Sequence, residues 1–396
     1  MAFSSGSSSS LTPYLATTLF GLETVLAQEL EKLGAQNIKV GNRAVEFAGD
    51  KQLLYKANLW CRTAIRILKP FRTFTARDER DLYRQVSKIN WQDHIRSDQT
   101  FAIQSVVSQS TFEHSLFVSQ LAKDAIVDQF RQRTGQRPSV NVEQPDVRLN
   151  LHMLENWVTL SLDASGDSLH RRGYRQQTNV APLSEVLAAG ILLLTGWDKQ
   201  VPLIDPMCGS GTFLTEAALL AHNIAPGLYR RNYFGFMNWP DFEEGLYHTV
   251  LKDAEAAQLP DEEVDIVGSD IDKDYIEAAR RNITHAGLED FIRVRVRDLK
   301  DAQGIGEKGV VIVNPPYGER ISPDNLNQLY KLIGDTFKTN FSGYDAFVFT
   351  GNLEAAKHIG LKTSRRIPLY NGPIECRLLK YELYRGTRKQ VAPEQS

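Results

Sequence analysis

The stretch Leu203-Ile204-Asp205-Pro206-Met207-Cys208-Gly209-Ser210-Gly211-Thr212 decides how the rest of this 396-residue chain is read. A short apolar run ends in an acidic residue, turns through two glycines and enters a helical pattern over residues 213 to 221. Glycine lets a backbone approach a ligand closely, and the first turn of a helix presents N–H groups that no intrahelical carbonyl accepts. A nucleotide-like cofactor is implied. No lysine follows the glycines, so this is not the Gly-Lys-Ser/Thr phosphate loop, and the third glycine of the dinucleotide fingerprint is missing. Close packing of strand on helix would demand the same glycines, so the turn alone leaves both readings open.

Outward from this turn, apolar runs at residues 201 to 204, 265 to 268, 309 to 313 and 346 to 350 alternate with helical segments. That rhythm predicts an α/β fold with a parallel, doubly wound sheet, in which ligands gather at the carboxyl ends of the strands. Residues 367 to 370 and 374 to 384 flank Asn371-Gly372-Pro373, which predicts an antiparallel hairpin at one sheet edge. The second strand ends in Gly268-Ser269-Asp270-Ile271-Asp272. Asp270 is placed to accept both hydroxyls of a ribose, whereas Asp272 fits better as the N-cap of a helix over residues 273 to 286. After a third strand, over residues 292 to 296, Asp298 is positioned either to accept from an adenine amino group or to stand as a solvated turn carboxylate. The fourth strand ends in Val313-Asn314-Pro315-Pro316-Tyr317-Gly318-Glu319-Arg320. Two prolines hold the backbone extended and remove two donors, so acceptors dominate and an amino group fits. The lone pair of an exocyclic amine is delocalised into its ring. Accepting its two protons at the Asn314 side-chain oxygen and the Pro315 carbonyl favours a pyramidal nitrogen that can attack, and Tyr317 offers a stacking face. A rigid loop at a sheet edge is the plain alternative.

At these residues the sequence resembles the class I S-adenosylmethionine-dependent amino-methyltransferases, whose catalytic motif is Asn-Pro-Pro-Tyr. With residues 205 to 212, residues 314 to 320, the connector His170-Arg171-Arg172-Gly173-Tyr174-Arg175 and the helix start Ala181-Pro182-Leu183, it is similar to the bacterial 23S ribosomal RNA guanine-N2 methyltransferases of the RlmL type. The resemblance implies a Rossmann-like class I methyltransferase domain preceded by α+β ferredoxin-like and THUMP domains. It implies S-adenosylmethionine as cofactor, held at Asp205, Cys208, Gly209, Ser210, Gly211, Asp270 and Asp298, with Asn314, Pro315, Pro316 and Tyr317 at the target amine. Asp205 serves equally well to hold the glycine turn in shape. The implied partner is RNA, 23S rRNA or a large-subunit assembly intermediate. The second methyltransferase domain fused in some members does not follow here, so its activity is not carried over. Transfer RNA guanine-N2 methylation by related THUMP enzymes, adenine-N6 methylation of DNA, and a non-catalytic RNA-binding assembly role are the alternatives. Retention of Gly209, Gly211, Asp270 and the Asn314 motif argues against the last.

The front half adds a mixed sheet-and-helix pattern. Read with the resemblance, a Ser-rich tail over residues 1 to 11 is expected to precede a ferredoxin-like unit at 12 to 52, a THUMP domain at 53 to 165, a linker at 166 to 180 and the methyltransferase domain at 181 to 396. Residues 1 to 180 carry 22 Lys plus Arg against 18 Asp plus Glu, and the remainder 24 against 30, so the front half suits a polyanion better. Arg171, Arg172 and Arg175 either steer a phosphate backbone or sit in a solvated linker. Cys61, Cys208 and Cys376 form no CxxC pair, so neither disulfides nor a thiolate metal site is expected. No apolar run approaches the roughly 20 residues of a spanning helix, and no secretory leader is apparent, so the cytoplasm is the expected compartment. The oligomeric state is left open.

Overall fold

In a computed structural model, the description covers residues 11–175, 183–260, 262–316 and 322–384. Residues 1 to 10 of the tail expected over 1 to 11, and the Ala181-Pro182 helix start, lie outside it. The chain divides into two units. The front unit comprises Met1–Thr18, Leu26–Arg171 and Arg230–Ala256, and the catalytic unit comprises Leu19–Val25, Arg172–Tyr229 and Ala257–Ser396.

The front unit runs through β1 (Thr12–Thr18), α1 (Glu23–Lys32), β2 (Gln36–Val40), β3 (Ala44–Gly49), α2 (Lys51–Trp60), β4 (Ala64–Thr75), α3 (Glu79–Ser87), β5 (Thr100–Ser108), α4 (Ser115–Thr134), β6 (Ser139–Val140), β7 (Val147–Leu154) and β8 (Trp157–Asp163). Hairpins form on either side of Gly41-Asn42 and Glu155-Asn156, with Arg43 and Glu155 taking the left-handed φ values of 55° and 54° that the turns require. All eight strands join one sheet in the order β2-β3-β1-β4-β8-β7-β5-β6. The 12-residue β4 is its keystone: its first half pairs with β1, and its second half, from Leu68 on, pairs with β8. Pro70 interrupts its alternation, and the register shifts between Pro70 and Arg72, a bulge that tolerates a residue without an N–H.

The catalytic unit begins with α5 (Glu185–Thr195), β9 (Leu203–Asp205) and α6 (Thr212–Ala221). After Tyr229 the chain leaves it to build α7 (Glu244–Ala256) in the front unit. It resumes with β10 (Ile266–Asp270), α8 (Lys273–His285), β11 (Ile292–Val296), β12 (Val310–Val313), α9 (Pro323–Asn340), β13 (Asp345–Thr350), α10 (Leu353–Ala356), β14 (Arg365–Asn371) and β15 (Ile374–Glu382). The sheet order is β11-β10-β9-β12-β13-β15-β14. The first five strands are parallel, and the expected hairpin closes the far edge antiparallel to β13. The Val-Val-Ile-Val run of β12 is wholly buried, as a central strand covered on both faces must be, and Tyr330, Ile333 and Phe337 of α9 join its core. Successive strands run outward from β9 on both sides, so the topological switch point lies at its carboxyl end. Among the described residues no helix is long and apolar enough to cross a membrane.

Residues 230 to 256 were expected within the C-terminal domain, and their grouping with the front unit has a physical basis. Arg230 donates to the carbonyls of Ser168 at 2.8 Å, Ser165 at 2.9 Å and Asp167 at 3.1 Å. The Tyr55 ring of α2 meets Phe236 and Tyr247 at centroid distances of 4.5 and 5.6 Å, and its hydroxyl accepts from Glu243 N at 3.1 Å. Tyr247 is buried in this cluster. Tyr247→Ala is therefore expected to cost about 3 to 5 kcal/mol, measured by urea denaturation. Hydrogen exchange should show the loss of protection in α2, which lies almost 190 residues earlier in the chain; an effect confined to the catalytic unit would contradict this assignment.

Candidate active site

Because β9, β10 and β12 run parallel, their carboxyl ends bring Asp205, Asp270 and Asn314 to one end of the sheet. Between β9 and α6 the chain turns through Gly209 (φ +52°) and Gly211 (φ +81°), backbone conformations that an L side chain adopts only with strain. Gly211 N donates to Cys208 O at 2.8 Å to close the turn. Nothing lies within 4 Å of where a Cβ on Gly209 would stand, so that position faces open space. Gly268 of β10 is needed for the opposite reason. A Cβ there would collide with the Leu214 side chain and press on Cys208, so only glycine lets β10 lie this close to the turn.

Asp270 holds the turn in place. Its Oδ2 accepts from Gly209 N at 3.0 Å and its Oδ1 from Asp272 N at 3.0 Å, while Cys208 N donates to Ser269 O at 3.0 Å. Asp205 Oδ1 accepts from Met207 N at 3.1 Å. Burial pushes the Asp205 carboxyl well above its ordinary pKa, the Met207 N–H pulls it down, and the Asp270 charge raises it further. Burial raises Asp270 too, offset by the N–H groups of Asp272 and Gly209. Neither carboxyl has a cationic side chain paired with it among the described residues. Burial, then the Asp205 and Asp270 charges, pushes the Cys208 thiol far up, so it is a neutral packed group rather than a nucleophile. Asp272 caps α8 as expected, accepting from Asp274 N at 2.8 Å. Asp298 accepts from Lys300 N at 3.1 Å and pairs with Lys300 Nζ at 2.9 Å; this side-chain contact holds its carboxyl below the usual range.

At the end of β12 the side-chain oxygen of Asn314 is buried and has no hydrogen-bond partner among the described residues. Pro315 is buried and Pro316 exposed. Tyr317 lies outside the described residues, as do Gly318, Glu319 and Arg320.

Two of the three connector arginines are not on the surface. Arg172 is buried and pairs with Glu216 of α6, whose carboxylate also accepts from the buried Tyr174 hydroxyl at 2.9 Å. Arg175 pairs with Glu185 at 3.0 Å and donates to Leu183 O and to Thr212 Oγ1, both at 2.9 Å. Their guanidiniums are committed to the catalytic unit, so the expectation that they meet a phosphate backbone is corrected: they brace α6 behind the glycine turn. Arg171 is exposed and paired with Asp167. The sequence reading also missed Asn282, a buried α8 side chain that donates to Ser210 O at 3.1 Å, and Ile271, an apolar side chain 69% exposed beside Asp270. Only the apolar character of Ile271 between two aspartates was visible locally.

A glycine turn, an acidic strand end with both carboxylate oxygens oriented by N–H donors, and an Asn-Pro-Pro acceptor corner on a seven-stranded sheet of this order define a class I S-adenosylmethionine-dependent methyltransferase. The comparisons place it further. Residues 172–380 match the family described as "RMKL-like, methyltransferase domain", residues 76–163 the THUMP domain and residues 13–68 the RlmL ferredoxin-like domain. The chain belongs to this family. It is 44% identical over 97% of its length to the whole of a Synechocystis sp. protein named "Putative RNA methyltransferase slr0064". It is 44% and 42% identical, over 93% of its length, to proteins named "Ribosomal RNA large subunit methyltransferase K/L" from Syntrophotalea carbinolica and Methylococcus capsulatus, and spans about half of theirs (53% and 51%). Among solved structures, SMU.472, titled as complexed with SAH, superposes with a TM-score of 0.86 at 31% identity, covering 96% of this chain and 100% of that one. A Listeria monocytogenes protein titled "predicted N6-adenine-specific DNA methylase" gives 0.85 at 32%, with 94% and 97% covered.

The residues present fit the cofactor. S-adenosylmethionine carries positive charge, and neither the buried Asp205 carboxyl nor the half-buried Asp270 carboxyl has a cationic side-chain partner among the described residues, while Ile271 offers an apolar face for a flat base.

Two expectations follow. Gly268→Ala should destabilise the protein by about 1 to 3 kcal/mol through the clash with Leu214 and weaken S-adenosylmethionine binding, as measured by thermal melting and calorimetry. Because the Asp270 pKa is raised and its charged form is the better acceptor of hydroxyl protons, cofactor affinity should fall as pH drops into the mildly acid range. Asp270→Asn should be weaker at neutral pH and lose most of that dependence; an unchanged profile would place the titrating group elsewhere.

Proposed function

We propose that this protein methylates the exocyclic N2 amine of a guanosine in 23S ribosomal RNA. The observation that carries the reading is the Asn314 side-chain oxygen, buried and without a hydrogen-bond partner among the described residues. A buried acceptor left unpaired costs about 1 to 3 kcal/mol, and an amine donating into the corner removes that cost. The names of the K/L relatives and the THUMP match support an RNA substrate, and in this reading the protein works on large-subunit rRNA in the cytoplasm.

In this reading Asp270 takes the ribose hydroxyls, Asp298 the adenine amino group, and Asp205 with residues 208 to 211 the remainder of S-adenosylmethionine, which supplies an electrophilic methyl group when bound. Asn314 Oδ1 and the Pro315 carbonyl accept the two protons of the target amine, orienting its nitrogen lone pair toward the cofactor. Pro315 and Pro316 keep the corner extended and free of competing donors, and Tyr317 stacks on the base. Charge that develops on the nitrogen as it bonds to carbon strengthens both hydrogen bonds, which therefore favour the transition state over the ground state.

Asn314→Ala should lower single-turnover methyl transfer by on the order of 100-fold or more while leaving cofactor affinity, read by calorimetry, within a few-fold. Near-wild-type turnover would remove Asn314 from the mechanism. Incubation with labelled cofactor and separate ribosomal, transfer and genomic nucleic acid fractions, followed by mass spectrometry of nucleosides, decides among N2-methylguanosine in rRNA, the same nucleoside in tRNA, and N6-methyladenine in DNA.

A further inference from the structure

The chain from residue 181 onward is net acidic by six charges, yet one strip of the catalytic unit is strongly basic. β11 is the edge strand of the seven-stranded sheet, and its sequence runs on as Arg293-Val294-Arg295-Val296-Arg297. Side chains alternate along a strand, so Arg293 and Arg295 leave one face about 6.6 Å apart, and Arg297 follows one residue past the strand's end. Arg293 and Arg295 are on the solvent side of the strand and Arg297 is half-buried. α8 adds a fourth guanidinium, for Arg280 donates to Val294 O at 3.4 Å.

Few carboxylates balance them. Asp265 pairs with Arg293, Arg297 donates to the backbone carbonyl of Asp301 at 3.2 Å, and Asp298 is engaged by Lys300. Arg295 has neither an ion pair nor a hydrogen bond from its side chain among the described residues. Its pKa is lowered by desolvation and then by the charges of Arg297 and Arg293, with no carboxylate opposing them. Like charges aligned on one strand face repel, and an anion laid along them relieves the repulsion. The row also has a direction. Arg293 lies opposite Val267 and Arg295 opposite Ser269, and Arg297 N donates to Asp270 O at 2.9 Å, so the last arginine stands beside the strand end that carries the ribose acceptor.

We propose that the Arg293-Arg295-Arg297 face of β11 is a docking track for the phosphate backbone of the RNA substrate, leading along the open edge of the sheet to the cofactor end of β10. The proposal rests on the RNA reading above. The spacing of the guanidiniums is comparable to that of successive phosphates on an extended single strand, and arginine's planar fork pairs with phosphate through two hydrogen bonds.

The test uses the full chain, wild type and carrying Arg295→Gln, Arg295→Lys or Arg293→Gln with Arg295→Gln, titrated with fluorescein-labelled 23S rRNA at several salt concentrations. S-adenosylmethionine affinity and thermal midpoint are measured alongside. Arg295→Gln should bind RNA several-fold more weakly at low salt, with the slope of log K against log salt shallower by roughly 0.7 to 0.9 for each phosphate no longer neutralised. Arg295→Lys should keep the wild-type slope, the double variant should weaken binding further, and cofactor affinity should stay unchanged throughout. Unaltered RNA affinity and slope in the two glutamine variants overturn the track, including the outcome in which those variants self-associate because the arginines only guard an open strand edge. Failure of the wild-type chain to bind rRNA overturns the substrate reading and the track together. Wild-type binding that the variants leave untouched overturns the track alone.

Discussion

The bond between the Asp270 carboxylate and Gly209 N is the constraint on which the candidate site depends. It crosses from β10 to the turn after β9, fixing the position of a loop whose glycines otherwise leave it unusually free. The same carboxylate accepts from Asp272 N at the start of α8, and α8 returns Asn282 to Ser210 O. Turn, strand end and following helix thus form a closed ring of hydrogen bonds. Within it, the charge that would meet the cofactor is oriented before the cofactor arrives, so binding need not order the loop. Gly268 permits the close approach that keeps the ring short.

Behind that ring stands a second, buried one. Arg172, Tyr174 and Glu216 meet where none of them is exposed, and Arg175 reaches Thr212 in the first turn of α6. Burying these charges is tolerable only because they are paired and hydrogen-bonded. A connector that reads as solvated linker is in fact a brace on the helix that carries the glycine turn. Arg172 and Arg175 are therefore committed to architecture, and the basic face of β11 remains as a cationic surface of the catalytic unit with arginines in register.

Much of this was legible in the sequence where local physics decides. The apolar runs of β9, β10, β12 and β13, the Asn371-Gly372-Pro373 hairpin and the cap at Asp272 follow from periodicity, turn chemistry and helix-end hydrogen bonding, each contained within a few residues. What escaped depends on partners distant in the chain. The burial of Arg172 is set by Glu216, 44 residues later, and the grouping of residues 230 to 256 with the front unit by Tyr55 and the carbonyls of residues 165 to 168. β4 is hard to read locally for another reason: Pro70 and scattered cationic side chains hide its alternation, and a bulge absorbs the irregularity. At the site, the acceptor role proposed for Asn314 was readable from its proline neighbours, while the bond from Asn282 to Ser210 O had no local signature.

The length of β4 has a consequence for how such a protein can be rearranged. The family matches divide the front half at residues 68 and 76, and the strand runs through the gap, hydrogen-bonded to β1 on one side of the division and to β8 on the other. A graft made at that seam would place its junction inside β4, where each half must keep its own partner strand for the sheet to stay continuous. The ferredoxin-like and THUMP segments of this chain are therefore mechanically one sheet joined through a shared strand, even though their sequences match separate family models.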